Sequence, residues 1–250
     1  MNQNATLAQM RELKLVGMAQ AFEAIRLLPI DKQPASEQLL TQLLEAEELY
    51  RKNRKTLAGI KQAQFRYQAS LEEITLSPER NLSKDLFHRL TDLSFAKKAE
   101  NILITGATGC GKSFIATALG YQACQMGLRV GYFSLPKLLQ RLHLAKADGS
   151  YVKELARIEK MQVVILDDWG LQPLDSYSRG AIMQIIEDRH GKHTTIITAQ
   201  MPIAKWYDYI AEPTIADALM DRLLHHAHRI ELKGESMRKK TLETPQNQTL

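Results

Sequence analysis

The feature that most constrains this chain is the run Gly106-Ala107-Thr108-Gly109-Cys110-Gly111-Lys112-Ser113. It fits G-x-x-x-x-G-K-S, the spacing of a phosphate-binding P-loop, and it stands between a β-rich run, Asn101–Thr105, and a helical period that opens near Lys112. Each residue type has a reason. Gly106, Gly109 and Gly111 allow backbone angles and close approaches that a Cβ forbids. The backbone N–H groups of Ala107, Thr108 and their neighbours can then converge on phosphate oxygens at the positive end of the helix dipole. Lys112 is placed to neutralise β- and γ-phosphate charge and Ser113 to ligate magnesium, with Phe114 beside them as a further nucleotide contact. Such a pattern arises by accident in roughly one chain in a hundred of this length, and the flanking strand and helix lower that further. The residues describe a nucleotide site.

Cys110 occupies a variable position of the loop. No partner base is evident for it as a nucleophile, so the expectation is an inert filler. The second element is Val163-Val164-Ile165-Leu166-Asp167-Asp168, an apolar run ending in two carboxylates. Asp167 is expected to hold magnesium at a strand's C-terminal end, and Asp168 to orient or deprotonate the attacking water.

From Asn101 onward, short β-rich runs alternate with helical periods. The runs are Asn101–Thr105, Arg129–Phe133, Gln162–Asp167, Thr194–Thr198 and Arg229–Leu232; Lys112–Met126, Leu135–Ala147, Tyr151–Lys160, Ser176–His190 and Thr214–His225 fill the gaps. That order predicts an α/β fold with a parallel sheet covered on both faces. The first third reads as helix instead. Leu15, Met18, Phe22 and Ile25 form one amphipathic stripe, and the stretch from Pro29 to Pro34 interrupts it. Leu39, Leu43, Ala46 and Tyr50 form a second stripe, which Leu57, Ile60, Tyr67 and Leu71 extend weakly. The expected organisation is a helical N-terminal domain over 1–77, the nucleotide domain over 78–240 and a loose tail over 241–250.

Charge adds a second constraint. The chain of 250 residues carries 33 Lys+Arg against 28 Asp+Glu, and the excess is unevenly spread. Arg51, Lys52, Arg54, Lys55, Lys61 and Arg66 lie in a stretch without an acid, six further bases lie between Arg222 and Lys240, and residues 161–221 hold nine acids against four bases. Two basic patches fit a polyanionic partner, and they fit solvated helix faces equally well. With 44% hydrophobic residues the chain is globular rather than disordered, and no apolar run reaches membrane-spanning length. Two cysteines and an N-terminus without an apolar leader make a reduced cytoplasmic setting the expectation. His225, His226 and His228 cluster without a nearby cysteine, which reads as ordinary polar helix-end residues.

Taken together, the motifs resemble the AAA+ ATPases of the IstB group, transposition helpers encoded beside a transposase in bacterial insertion sequences and related to the DnaC helicase loaders. The resemblance covers nearly the whole chain. It includes Leu15-Val16-Gly17-Met18, the P-loop, Leu166-Asp167-Asp168-Trp169-Gly170 and Ile197-Thr198-Ala199-Gln200. It continues in Ala216-Asp217-Ala218-Leu219-Met220-Asp221-Arg222-Leu223 and Gly234-Glu235-Ser236-Met237-Arg238. It implies a five-stranded AAA+ P-loop fold behind a helical N-terminal domain, and an ATPase shared between subunits. Gln200, with Thr198 as alternate, corresponds to the sensor of the γ-phosphate or attacking water, Arg222 to an arginine finger supplied to a neighbour's ATP, and Arg238 to the second sensor arginine. The bland alternative for Arg222 is a surface pair with Asp217 or Asp221. Many relatives carry Asp-Glu where this chain has Asp167-Asp168, and Thr-Ser-Asn where it has Thr198-Ala199-Gln200. The shorter carboxylate reaches less far toward water, which implies slow or partner-dependent hydrolysis.

The resemblance also implies partners: double-stranded DNA bound without sequence preference, the transposase of the same insertion sequence, and further copies of the chain. The basic run Arg51–Arg66, interleaved with Tyr50, Phe65 and Tyr67, is the candidate DNA surface. A DnaC-like helicase loader is the nearest alternative. A small-molecule kinase and an adaptor that binds ATP without turnover are the more distant ones.

Overall fold

Branched and aromatic side chains alternate across five short strands, and the sheet they form decides where everything else sits. The structure, a computed structural model, describes residues 3–237. By its internal contacts the chain divides into two units, Met1–Ala58 and Gly59–Leu250.

In the first unit α1 (Gln3–Glu12) and α2 (Val16–Arg26) precede α3 (Ser36–Ala63), and the division between units falls within α3. The interruption after α2 is a single 3-10 turn, Ile30–Lys32. Leu7, Ala19 and Leu43 are buried. Gly17 is the contact point between α2 and α3: a Cβ there would lie 2.5 Å from the Ala46 carbonyl oxygen and 2.7 Å from the Glu47 Cα. Buried Glu47 caps α2 from the side, its Oε2 accepting the Met18 N–H at 3.1 Å and its Oε1 accepting Arg51 Nε at 2.7 Å. Burial pushes the Glu47 carboxyl up, but the hydrogen bonds from Arg51, Met18 and Gly17 outweigh it and hold the group below the ordinary glutamate range.

The second unit continues with α4 (Lys84–Thr91), α5 (Ser94–Lys97), β1 (Ile102–Gly106), α6 (Lys112–Gln125), β2 (Val130–Ser134), α7 (Leu135–Ala147), α8 (Tyr151–Glu159), β3 (Val163–Trp169), α9 (Ser176–Arg189), β4 (Thr194–Ala199), α10 (Trp206–Ile210), α11 (Pro213–Leu224) and β5 (His228–Leu232). All pairings are parallel, in the order β2-β3-β4-β1-β5. The expected α/β class, and the five strands at the expected places, are what the structure contains.

Strand periodicity splits the apolar side chains into two cores. Ile102, Ile104, Val163, Ile165 and Ile196 face α4, α5 and α6, together with Ala63, Ala69 and Ile74. Leu103, Val164, Leu166 and Ile197 face α7, α8, α9 and α11. Arg189, almost fully buried at the end of α9, donates to the carbonyls of Ile158, Met161 and Thr194 and to the Thr195 hydroxyl, which fastens α9 to β4 and to the end of α8. Burial away from water pushes its pKa down to about 9.

Two local expectations change. The helical stripe ends before Tyr67 and Leu71, because Gln64 adopts a left-handed backbone (φ +56°) that terminates α3. The chain then runs without regular structure to a 3-10 turn at Pro78–Arg80. Residues near 60–76, including Ile60, Phe65, Ile74 and Leu76, pack into the first of the two cores, so by contacts they group with the sheet, whereas the sequence pattern places the boundary at 77. The segment 241–250 lies outside the described residues. Among the described residues no helix is long and apolar enough to cross a membrane.

Candidate nucleotide site

A parallel sheet directs its strand ends to one edge, and the expected P-loop, acidic pair and sensor strand all meet there. The loop Gly106–Gly111 joins β1 to α6. Gly106 (φ +144°) and Gly109 (φ +83°) need their freedom: a Cβ on Gly106 would lie 2.4 Å from the Leu232 carbonyl oxygen, and one on Gly109 would lie 2.1 Å from Ser236 Oγ. Residues after β5 fold back onto the loop, where the Met237 N–H donates to the Gly109 carbonyl at 2.9 Å.

Lys112 is nearly buried and donates from Nζ to the carbonyls of Gly106 and Ala107, each at 2.8 Å. Its ammonium therefore lies at the mouth of its own loop. Cys110 is 1% exposed and belongs to the core cluster with Ile115 and Leu119, and its Sγ accepts from Lys112 Nζ at 4.0 Å.

Ser113 Oγ donates to Asp167 Oδ1 at 2.7 Å. Asp167 is fully buried, and two more hydroxyls donate to it, from Thr198 on β4 and Tyr132 on β2. Burial raises the Tyr132 pKa, and its hydrogen bond to the Asp167 carboxylate raises it further, so the phenol stays protonated as a donor. Ser113 and Asp167 together offer hard oxygen donors in contact, a set that fits Mg2+. Asp168 follows in a left-handed conformation (φ +65°), which turns its side chain out of the strand's alternation; the register between β3 and β4 shifts at the same point. Its N–H donates to Thr198 Oγ1 at 3.4 Å. Gln200, just past β4, accepts from the Thr108 hydroxyl at 3.0 Å, so this sensor candidate touches the P-loop itself.

The pattern missed a cavity of about 340 Å3 beside the loop. Phe114, Lys112 and Ser113 line it, and so do Tyr67, Ile74 and Arg80. Arg80 donates from its guanidinium to the carbonyls of Cys110, at 2.8 Å, and Thr75, joining the irregular segment to the P-loop. The only signal for Ile74 and Arg80 was their apolar or basic type in a stretch without periodicity. Tyr132 was hidden inside an ordinary strand pattern.

Other candidates lie elsewhere. Arg222 sits on α11 and its carbonyl accepts from Asn101 Nδ2 at 3.1 Å, which puts it at the start of β1, about 16 Å of strand from the P-loop. Arg51, Lys52, Arg54 and Lys55 are exposed on α3 in the first unit; Lys61 is exposed on α3 in the second. Arg66 lies beyond the helix and pairs with Asp168 at 3.7 Å. Phe65 stacks on Tyr121 at 4.6 Å within the core and Tyr67 lines the cavity, so these two aromatics are occupied by the fold. His228 bonds Glu100 at 2.8 Å. Arg238 lies outside the described residues.

Comparison with known proteins gives a consistent picture. The family described as IstB-like ATP binding protein matches residues 8–244. The chain is 40% identical over 234 residues to a Sinorhizobium fredii protein named as an insertion sequence ATP-binding protein (y4pL), covering 94% of this chain and 96% of the relative. It is 28% identical over 228 residues to an ATP-binding protein of insertion sequence IS21 from Pseudomonas aeruginosa, covering 91% and 86%. Its fold is similar to the crystal structure of the DnaC helicase loader, with a TM-score of 0.53 and 21% identity over 66% of this chain and 97% of that one.

Proposed function

The chain belongs to the IstB-like ATP-binding protein family, and from that premise we propose that it is an ATP-dependent transposition helper. It assembles with ATP between subunits on double-stranded DNA without sequence preference and recruits or activates the transposase of the same insertion sequence. Hydrolysis dissolves the assembly. The observation that carries this reading is the meeting of Ser113, Asp167, Thr198 and Gln200 at one sheet edge, in a chain whose insertion-sequence relatives match it over nearly its whole length.

In this reading the P-loop N–H groups and Lys112 hold the phosphates, and Ser113 and Asp167 hold Mg2+. The ion neutralises β- and γ-oxygens when bound. Tyr132 and Thr198 keep the Asp167 carboxylate oriented, Asp168 orients the attacking water, and Gln200 senses the γ-phosphate. Arg222 stabilises transition-state charge on a neighbour's ATP. The exposed bases of α3 neutralise DNA phosphates without reading bases.

The test is electron microscopy and sedimentation of the protein with linear duplex DNA in ATP and in ADP. Multimers should form with ATP and DNA, dissolve in ADP, and be absent for Lys112→Ala. Assembly of the Lys112→Ala variant at the wild-type level would sink the proposal.

A further inference from the structure

Arg66 belongs by charge to the basic run on α3, but it is placed against the acidic pair. Its Nη1 lies 3.7 Å from Asp168 Oδ2, and the same oxygen accepts a hydrogen bond from Ser134 Oγ at 3.3 Å. Asp168 is therefore held from two directions, by the end of β2 and by the segment that follows α3. It is held in a left-handed conformation that costs a non-glycine residue backbone strain, and such strain persists where the surroundings over-determine it. Arg66 remains open to solvent: its side chain is 52% exposed, with the guanidinium carbon 5.4 Å from the centre of the Tyr67 ring. Arg66 and Asp168 share the wall of a cleft of about 1180 Å3 that also presents Lys137, Arg141 and His143, with Asp175 as its other acid.

The geometry points to Arg66 as a positioning residue that withholds Asp168 until a polyanion takes its charge, and to the phosphodiester backbone of DNA as that polyanion. The inference rests on the proposed role of Asp168 and adds the regulation of that site. A guanidinium and a hydroxyl on Oδ2 fix the direction of the carboxylate and offset its charge, which makes it a weaker partner for a water molecule. An ion pair exposed to solvent holds weakly, whereas a nucleic-acid backbone offers a dense row of phosphates whose planar fit to guanidinium is good. Lys137 and His143, exposed along the same cleft, add attraction for that backbone. Once Arg66 turns to a phosphate, Asp168 keeps the Ser134 bond and gains a free side for water. ATP turnover is thereby coupled to occupancy of DNA.

The experiment is steady-state ATP hydrolysis by the full chain, with and without linear duplex DNA, for wild type, Arg66→Ala, Arg66→Lys and Asp168→Asn. DNA should accelerate the wild type. Arg66→Ala should raise kcat without DNA by about fivefold, the scale of one exposed ion pair, with KM for ATP unchanged and no further response to DNA. Arg66→Lys should keep part of the DNA response. An Arg66→Ala enzyme whose DNA-free kcat does not rise, or which responds to DNA as the wild type does, overturns the inference. Asp168→Asn separates the two layers: wild-type turnover in that variant removes Asp168 from the chemistry, while an inactive Asp168→Asn beside an unaltered Arg66→Ala removes the latch alone.

Discussion

Arg222 on α11 is ion-paired with Glu187 on α9, Nε to Oε2 at 2.5 Å, while its Nη1 donates to the Ala218 carbonyl one turn back on its own helix. The pair joins two helices, so it is not the intrahelical contact with Asp217 or Asp221 that spacing alone allows. It also holds the guanidinium a quarter exposed, at the end of the sheet away from the P-loop.

In the proposed assembly this guanidinium serves a neighbour's nucleotide. Arg222→Ala is expected to retain ATP binding and to lose roughly 10³-fold in kcat, the scale of an arginine finger. Mixing Arg222→Ala with Asp168→Asn subunits should restore part of the turnover, because each supplies what the other lacks at a shared interface. Wild-type kcat in Arg222→Ala alone would exclude the role.

Tyr132 is the donor that the motifs did not announce. Tyr132→Phe removes one of three hydroxyls on a fully buried carboxylate. The loss should lower stability by about 1–3 kcal/mol in urea titration and raise the Mg2+ concentration needed for half-maximal turnover. An unchanged unfolding midpoint and Mg2+ requirement would mean that Ser113 and Thr198 suffice.

Glu47 predicts a pH dependence. Its carboxyl is held below the ordinary glutamate value of about 4.3, so its contribution is present above that value and is lost as pH falls through the lower folded value. Helix α2 should therefore loosen below about pH 4, and Glu47→Gln should flatten that limb of the curve. Hydrogen exchange at the Met18 amide checks it, since that N–H is the bond at stake.

The exposed bases of α3 predict a salt effect. Replacing Lys52, Arg54 and Lys55 by alanine should weaken duplex binding uniformly across sequences and flatten the salt slope by up to about 2.7, three phosphates' worth. A fluorescence-anisotropy series in potassium chloride measures it. An unchanged slope moves the DNA contact off α3.

Legibility followed the range of the interaction. Five strands and the helices between them were readable because each buries a periodic apolar face, and such faces are local in sequence. Helix ends were readable to within a residue or two wherever a cap marked them, as at Ser176–Arg189, where Asp175 accepts the Ser178 N–H. The end of α3 was not, since Gln64 takes the left-handed position usually given to glycine. The P-loop, Asp167, Asp168 and Gln200 were legible as short motifs, and the geometry brings them to one edge. Tyr132, Ile74 and Arg80 were invisible because their roles come from sheet register and from a segment with no period at all. Arg66 shows the opposite hazard. Its charge was legible and its neighbour was not, because a run of like residues says nothing about where the chain turns.

The contact between Gly106 and the Leu232 carbonyl has a consequence for the order in which the chain is made. A nascent chain that has emerged only as far as α11 already carries the complete phosphate motif, both acids and the sensor strand. It still lacks β5, the edge strand that pairs with β1 and abuts the loop's first glycine, and the turn that supplies Met237 to Gly109. The phosphate loop is thus written early and finished late, and a half-synthesised chain has the letters of the site without its walls.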